Sequence, residues 1–141
     1  MAKVYSSSHL TKRRKYQIEN TLHEGAVAVS GEKIFPDRQL EEVQQLILEA
    51  FNAMNGWVLD RAGIIGHIKG FILSWDKSLM YSATGAEVDC RLLETAGKAH
   101  HGVHVSVACI VFNIPQLELE EKLIALFDQL ENIRKESIVE E

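Results

Sequence analysis

The chain of 141 residues has the length of about one domain, and its 46% hydrophobic and 25% charged residues are typical of a folded globular protein. This composition excludes a low-complexity linker. The net charge of −5 is unevenly distributed: residues 1–15 carry five basic side chains and no acid, so the other ten basic residues are set against all twenty acids. A body this acidic repels phosphate backbones, which argues against nucleic-acid binding.

Two features of the sequence bear on the cellular compartment. The first residues are too polar for a secretory signal, and no apolar run approaches the roughly 18 residues that a membrane helix needs. The two cysteines, Cys90 and Cys109, lie outside any CxxC motif. We therefore expect a cytoplasmic protein with reduced thiols and no contact with a membrane.

The first half of the chain predicts short strands and one long helix. Two extended candidates lie within residues 16–35. Apolar residues then recur at three- and four-residue steps over 38–54, which predicts an amphipathic helix with Asp37 as its N-cap. Asn55 and Gly56 are expected to end this helix, because both residue types tolerate left-handed backbone.

The second half predicts a meander of strands followed by a helix. Residues 63–75 alternate between two faces, and shorter strands are expected over 79–84 and 86–93. One face of the 63–75 strand carries Ile64, Gly66, Ile68, Gly70 and Ile72. A valine-rich strand follows over 103–113, and Pro115 with the acids after it begins a last helix.

These elements predict an α+β fold. We expect a two-layer sandwich with a mainly antiparallel sheet of four to five strands, ferredoxin-like or related in topology, and two long helices on one face. Residues 1–15 are expected to be a flexible basic segment, and residues 16–141 to form a single α+β domain. In the strand over 103–113, one face carries four valines and Cys109 with no polar side chain, which marks it as the core face.

The opposite face of the sheet is predicted to be mixed in character. It carries His67, Lys69, Phe71, Leu73, Trp75, His104, Ser106, Ala108, Ile110 and Phe112. Its apolar members form too large a group to leave in water, so we expect a subunit contact there. The predicted interface residues are Phe71, Leu73, Trp75, Ile110 and Phe112, and the partner would be a second copy in a homodimer. The alternative is that residues 1–30 fold over this face.

The polar end of the same face is the predicted ligand site. His67, Lys69, His104 and Ser106 would converge if their two strands are neighbours, and could then bind a small anionic ligand. An imidazole there could also act as a general base, which would make the protein an enzyme. This hypothesis fails if His67 and His104 lie more than about 10 Å apart, because one ligand could not reach both.

The remaining candidates for chemistry are weaker in pattern. His100, His101 and His104 could ligate a metal, but their spacing is not that of the HExxH zinc helix, so no metal site is predicted. We expect His100 and His101 to be solvated loop residues. The glycines of residues 63–70 match no nucleotide-binding loop, and no cofactor is indicated.

Two functions therefore stand. The first is a homo-oligomeric protein with a ligand-binding or protein-interaction role. The alternative is an enzyme or metal-dependent protein built on His67, Lys69 and His104.

Overall fold

One antiparallel sheet and three helices make up the described part of this protein. A computed structural model describes residues 6–75, 77–85, 87–93 and 102–139, with side chains as far as Ile133. The elements are α1 (Ser7–Lys15), β1 (Glu19–His23), β2 (Ala26–Phe35), α2 (Leu40–Asp60), β3 (Ile64–Leu73), β4 (Ser78–Ala83), β5 (Val88–Leu93), β6 (Val103–Phe112) and α3 (Gln116–Val139). The six described strands lie in the order β1-β2-β6-β3-β4-β5, and the α+β class is confirmed.

The hydrophobic core lies between the sheet and the two long helices. Strand β6 pairs with both β2 and β3, and its inward face is buried, as predicted; these residues are Val103, Val105, Val107, Cys109 and Val111. Helix α3 packs on β2 and α2 packs on β3, and the two helices contact each other. Gly70 allows the close approach of α2, because a Cβ there would lie 2.7 Å from Cζ of the buried Phe51.

Two details of the predicted fold are wrong. Within the described residues the sheet has six strands rather than four to five, because residues 16–35 and 78–93 each supply a hairpin-connected pair of strands, one on either side of β6 and β3. The helices number three among the described residues, and the third, α1, lies in the segment for which we predicted flexibility. Whether that segment moves in solution stays a prediction.

Helix α2 is longer than its sequence pattern predicts. It runs through Asn55 and Gly56 to Asp60, and Gln39 rather than Asp37 is its N-cap. The extension buries Val58 in the core, and this tertiary packing outweighs the local tendency of an Asn-Gly pair to end a helix.

A β-bulge in β3 changes which isoleucine faces the core. The register against β6 shifts between Ile65 and His67. As a result Ile65 is buried and Ile64 is exposed, the reverse of simple alternation, while Ile68 and Ile72 face the core as predicted.

Helix α1 is attached to α3 by charged side chains rather than by an apolar face. None of its residues is buried. The fully buried carboxylate of Glu120 in α3 lies 2.8 Å from His9 Nε2 and 2.7 Å from Arg13 Nε, and it accepts a hydrogen bond from Asn20 of β1 at 2.5 Å. Lys12 pairs with Asp128 at 2.8 Å. The basic cluster of the sequence is thus largely neutralised within the chain.

We predict that Glu120→Ala lowers the free energy of unfolding by roughly 3 kcal/mol, the low end of the range for a broken buried ion pair because Arg13 is partly exposed. The neighbouring exposed Glu121→Ala is the matched control, with a change within about 0.5 kcal/mol. Urea unfolding followed by circular dichroism measures both. Equal stability of the two variants would contradict the structural role of Glu120.

Candidate functional site

The candidate site is the face of the sheet opposite α2 and α3, which we call the open face. Among the described residues no helix packs on it, and both Phe71, at 44% exposed, and Ile110, at 39%, remain accessible to solvent. Side chains of six strands share this face because directly paired residues in antiparallel strands point the same way. On the three central strands they include Ser30, Glu32, Ile34, His104, Ser106, Ala108, Ile110, Phe112, His67, Lys69, Phe71 and Leu73.

The register separates the two predicted histidines. His67 pairs with Ile110, whereas Leu73 pairs with His104, so the two imidazoles are six residues apart along β6. At about 3.4 Å per residue this is roughly 20 Å. The strands are neighbours as the hypothesis required, but a single small ligand cannot bridge His67 and His104.

Lys69 remains with His67 rather than with His104. It pairs with Ala108 of β6 and with Ser82 of β4, two residues along β3 from His67. Whether His67 and Lys69 bind an anion stays a prediction.

His104 and Ser106 instead share a carboxylate that the sequence did not point to. Glu32 of β2 pairs with Ser106, its Oε2 lies 3.2 Å from His104 Nε2, and the Ser106 hydroxyl donates to the same oxygen at 3.4 Å. The serine therefore contacts the acid and not the imidazole, so Ser106 and His104 do not form the serine–histidine contact of a catalytic triad. Glu32 was missed because sequence alone does not show that β2 lies beside β6.

A groove of about 360 Å³ opens on this face next to Glu32. It is lined by Gln17, Glu19, Ser30, Gly31, Glu32, Phe71, Ser106, Val107 and Ala108. Serine and alanine form its floor, the aromatic ring of Phe71 forms one wall, and Glu19 and Glu32 lie on the other side. Two carboxylates beside hydroxyl groups favour a cationic group in this groove over an anionic one.

The five predicted interface residues divide into two kinds. Phe71, Ile110 and Trp75 are exposed large hydrophobic residues, whereas Leu73 and Phe112 are partly covered. The register assigns all of them except Trp75, which follows the end of β3, to the open face. Apolar side chains therefore lie across the open face, and the charged side chains of Glu32 and Lys69 lie between them.

The described residues hold no group of three or more His, Cys, Asp or Glu side chains that could bind a metal ion. His100 and His101 lie outside the described residues. Cys109 is fully buried, its thiol contacts the Met54 sulfur at 3.6 Å, and burial raises its pKa to about 12. No helix within the described residues is long and apolar enough to cross a membrane.

No family model matches the sequence, and no curated protein matches it. Two solved structures match part of the chain: Zn(II)-bound YjiA GTPase from E. coli, at 12% identity, and a Zn(II)-bound triple mutant of YjiA GTPase, at 13% identity. Each match has a TM-score of 0.47 and covers 72% of this chain and 30% of the other, so the chain spans less than a third of those proteins. This degree of likeness assigns neither activity nor ligand to the chain.

The buried thiol of Cys109 predicts a loss of stability in alkaline solution. The native state holds the Cys109 proton up to about pH 12, whereas the unfolded chain releases it near its ordinary pKa of about 8.5. The unfolded state therefore binds fewer protons, and the free energy of unfolding falls by up to about 1.4 kcal/mol per pH unit across that interval.

We expect Cys109→Ala to reduce this slope, and Cys90→Ala, which removes an exposed thiol, to leave it close to that of the wild type below the pH at which tyrosines ionise. Urea unfolding with a reductant present, repeated between pH 8 and about pH 9.5, measures the slope, because burial and also Cys90 raise the pKa of Tyr81, and Cys90→Ala would affect the slope at higher pH. An unchanged slope in Cys109→Ala would show that the thiol is not protected by burial.

Proposed function

We propose that this is a cytoplasmic homo-oligomeric α+β protein with an interaction role, and that it forms a dimer through the open face. The observation that carries the proposal is the exposure of Phe71 and Ile110 in the middle of a sheet face on which no described helix packs. Exposed aromatic and aliphatic side chains on a sheet face without a helix favour a contact with another protein surface.

The size of the open face supports a second copy as the occupant. With about 3.4 Å per residue along a strand and about 4.8 Å between strands, the six strands present a face of roughly 800 Å². A stable interface of standard size buries about 800 Å² on each partner. One copy of the chain can therefore cover another without further elements.

The charges of the open face also support a second copy. Acids lie on the β1 and β2 side, with Glu19 and Glu32, while Lys69 lies on β3, across β6. A two-fold axis that runs along β6 in the interface would lay β2 over the partner's β3. The partner's Lys69 would then lie over Ser30, between Glu19 and Glu32.

This arrangement gives the groove an occupant. The groove is lined by Glu19, Ser30 and Glu32, and its chemistry suits the ammonium group of a lysine. The two-fold axis repeats the contact, so each copy inserts Lys69 into the groove of the other. The interaction role is preferred to the enzyme hypothesis because the Ser106 hydroxyl contacts a carboxylate and His67 lies far from His104.

We predict that Phe71→Glu converts the dimer to a monomer at tens of micromolar protein, because the two-fold axis along β6 would set the new carboxylate over the partner's Glu32, a like charge. Leu59→Glu is the matched control. The exposed fraction of Leu59, 47%, is similar to that of Phe71, but Leu59 lies on α2 and not on the open face. Sedimentation velocity gives the mass, and circular dichroism verifies the fold of each variant. The proposal is wrong if the wild type is a monomer at this concentration, or if both substitutions act alike.

A further inference from the structure

Strand β5 forms one edge of the sheet, and no strand in the described part of the chain pairs with its outer side. Val88, Cys90 and Leu92 point to the helix side, while Asp89 and Arg91 lie on the open face with their partners on β4. Leu92 is 67% exposed. The strand therefore presents both unpaired backbone groups and an uncovered apolar side chain.

Three features that prevent strands from pairing edge to edge are absent from β5 itself. Its pairing with β4 is regular over all six residues, with no bulge, and its sequence VDCRLL contains no proline or lysine. A regular edge with free backbone groups is a template for another strand.

We propose that β5 pairs antiparallel with β5 of a second copy, with the two-fold axis passing beside Cys90. In this register Asp89 lies opposite the partner's Arg91, and Val88 lies opposite the partner's Leu92. Opposite charges meet on the open face and apolar side chains meet on the helix side, which are the favourable cross-strand pairs.

The neighbouring registers are unfavourable. A two-fold axis normal to the sheet keeps each side chain on its own face, so the alternative pairings are shifted by two residues. One of them opposes Arg91 with the partner's Arg91, and the other opposes Asp89 with the partner's Asp89. Like charges directly opposite each other destabilise a strand pair.

The other edge of the sheet is less suited to the same contact. Strand β1 has five residues, and its centred register would oppose Asn20 with the partner's Leu22. Asn20 is also already bonded to the buried Glu120. The self-complementary pattern therefore belongs to β5.

This contact goes beyond the dimer proposed above and uses a different surface. Six residues form a smaller contact than the whole open face, so the edge pair should form at higher protein concentration. The axis of the edge contact is normal to the sheet beyond β5, whereas the axis of the face dimer runs along β6. The two contacts together would therefore join face dimers into a larger assembly.

The experiment is oxidation of the purified 141-residue chain by diamide, followed by intact-mass measurement without reductant. Directly opposed residues in antiparallel strands have Cα atoms about 4.5–5.5 Å apart, within the range of about 4.4–6.8 Å that a disulfide spans. Diamide takes one hydrogen atom from each Cys90 thiol and is reduced to the hydrazine, while a sulfur–sulfur bond joins the two chains. We expect a dimer linked through Cys90, abolished by Cys90→Ser and retained in Cys109→Ser.

Charge variants separate a specific edge contact from chance collision of exposed thiols. Asp89→Arg should slow the cross-linking several-fold, because it sets two cations opposite each other, and the exchange Asp89→Arg with Arg91→Asp should restore it. Phe71→Glu should leave the cross-linking rate unchanged even if it abolishes the face dimer. Equal rates in the wild type and Asp89→Arg, or no recovery in the exchanged variant, would overturn the edge contact while leaving the face dimer untouched.

Discussion

The architecture depends on the pairing of β6 with both β2 and β3 at the centre of the sheet. One face of β6 is entirely apolar, so both long helices must cover that face to remove its valines from water. The same alternation commits His104, Ser106 and Ile110 to the other side. Because both long helices are needed on one face, no helix among the described residues covers the second face. The open face is therefore a consequence of how the core is built.

The parts of the fold that follow a local pattern could be predicted from the sequence. Alternation in β6 places five buried residues and the opposing His104 and Ser106 correctly, because a strand period of two leaves no freedom once the strand is identified. The last helix begins at Gln116, one residue after the expected Pro115. Local patterns fail where contacts between residues distant in sequence determine the structure. Helix α2, for example, extends through Gly56 because the extension buries Val58 in the core.

The candidate site could be predicted only in part, since its geometry depends on strand order and register. That His67 and His104 share a face follows from alternation, but their separation follows from the antiparallel register of β3 with β6 and from the bulge before His67. The role of Glu32 depends on β2 lying beside β6, a contact between residues 74 positions apart in the chain. The attachment of α1 to the buried Glu120 is equally non-local, because a basic run by itself is typical of a solvated tail.

The distribution of charge on the open face connects the site to the proposed assembly. Glu19 and Glu32 lie on one side of β6 and Lys69 lies on the other, so one half of the open face is acidic and the other is basic. A two-fold axis along β6 pairs the acidic half with the partner's basic half, and the apolar residues between them fill the contact. The edge contact through β5 repeats the same principle on a smaller scale, with Asp89 and Arg91 as the complementary pair.

The most direct test of this account is charge exchange across the proposed two-fold axis, measured as the dimer dissociation constant by sedimentation equilibrium. Glu32→Lys and Lys69→Glu should each weaken the dimer, on the order of tenfold, because each places like charges together. The double exchange should recover most of the affinity, since it restores opposite charges in reversed positions. If the double variant is as weak as the sum of the single changes, Glu32 and Lys69 do not meet, and the two-fold axis along β6 is contradicted.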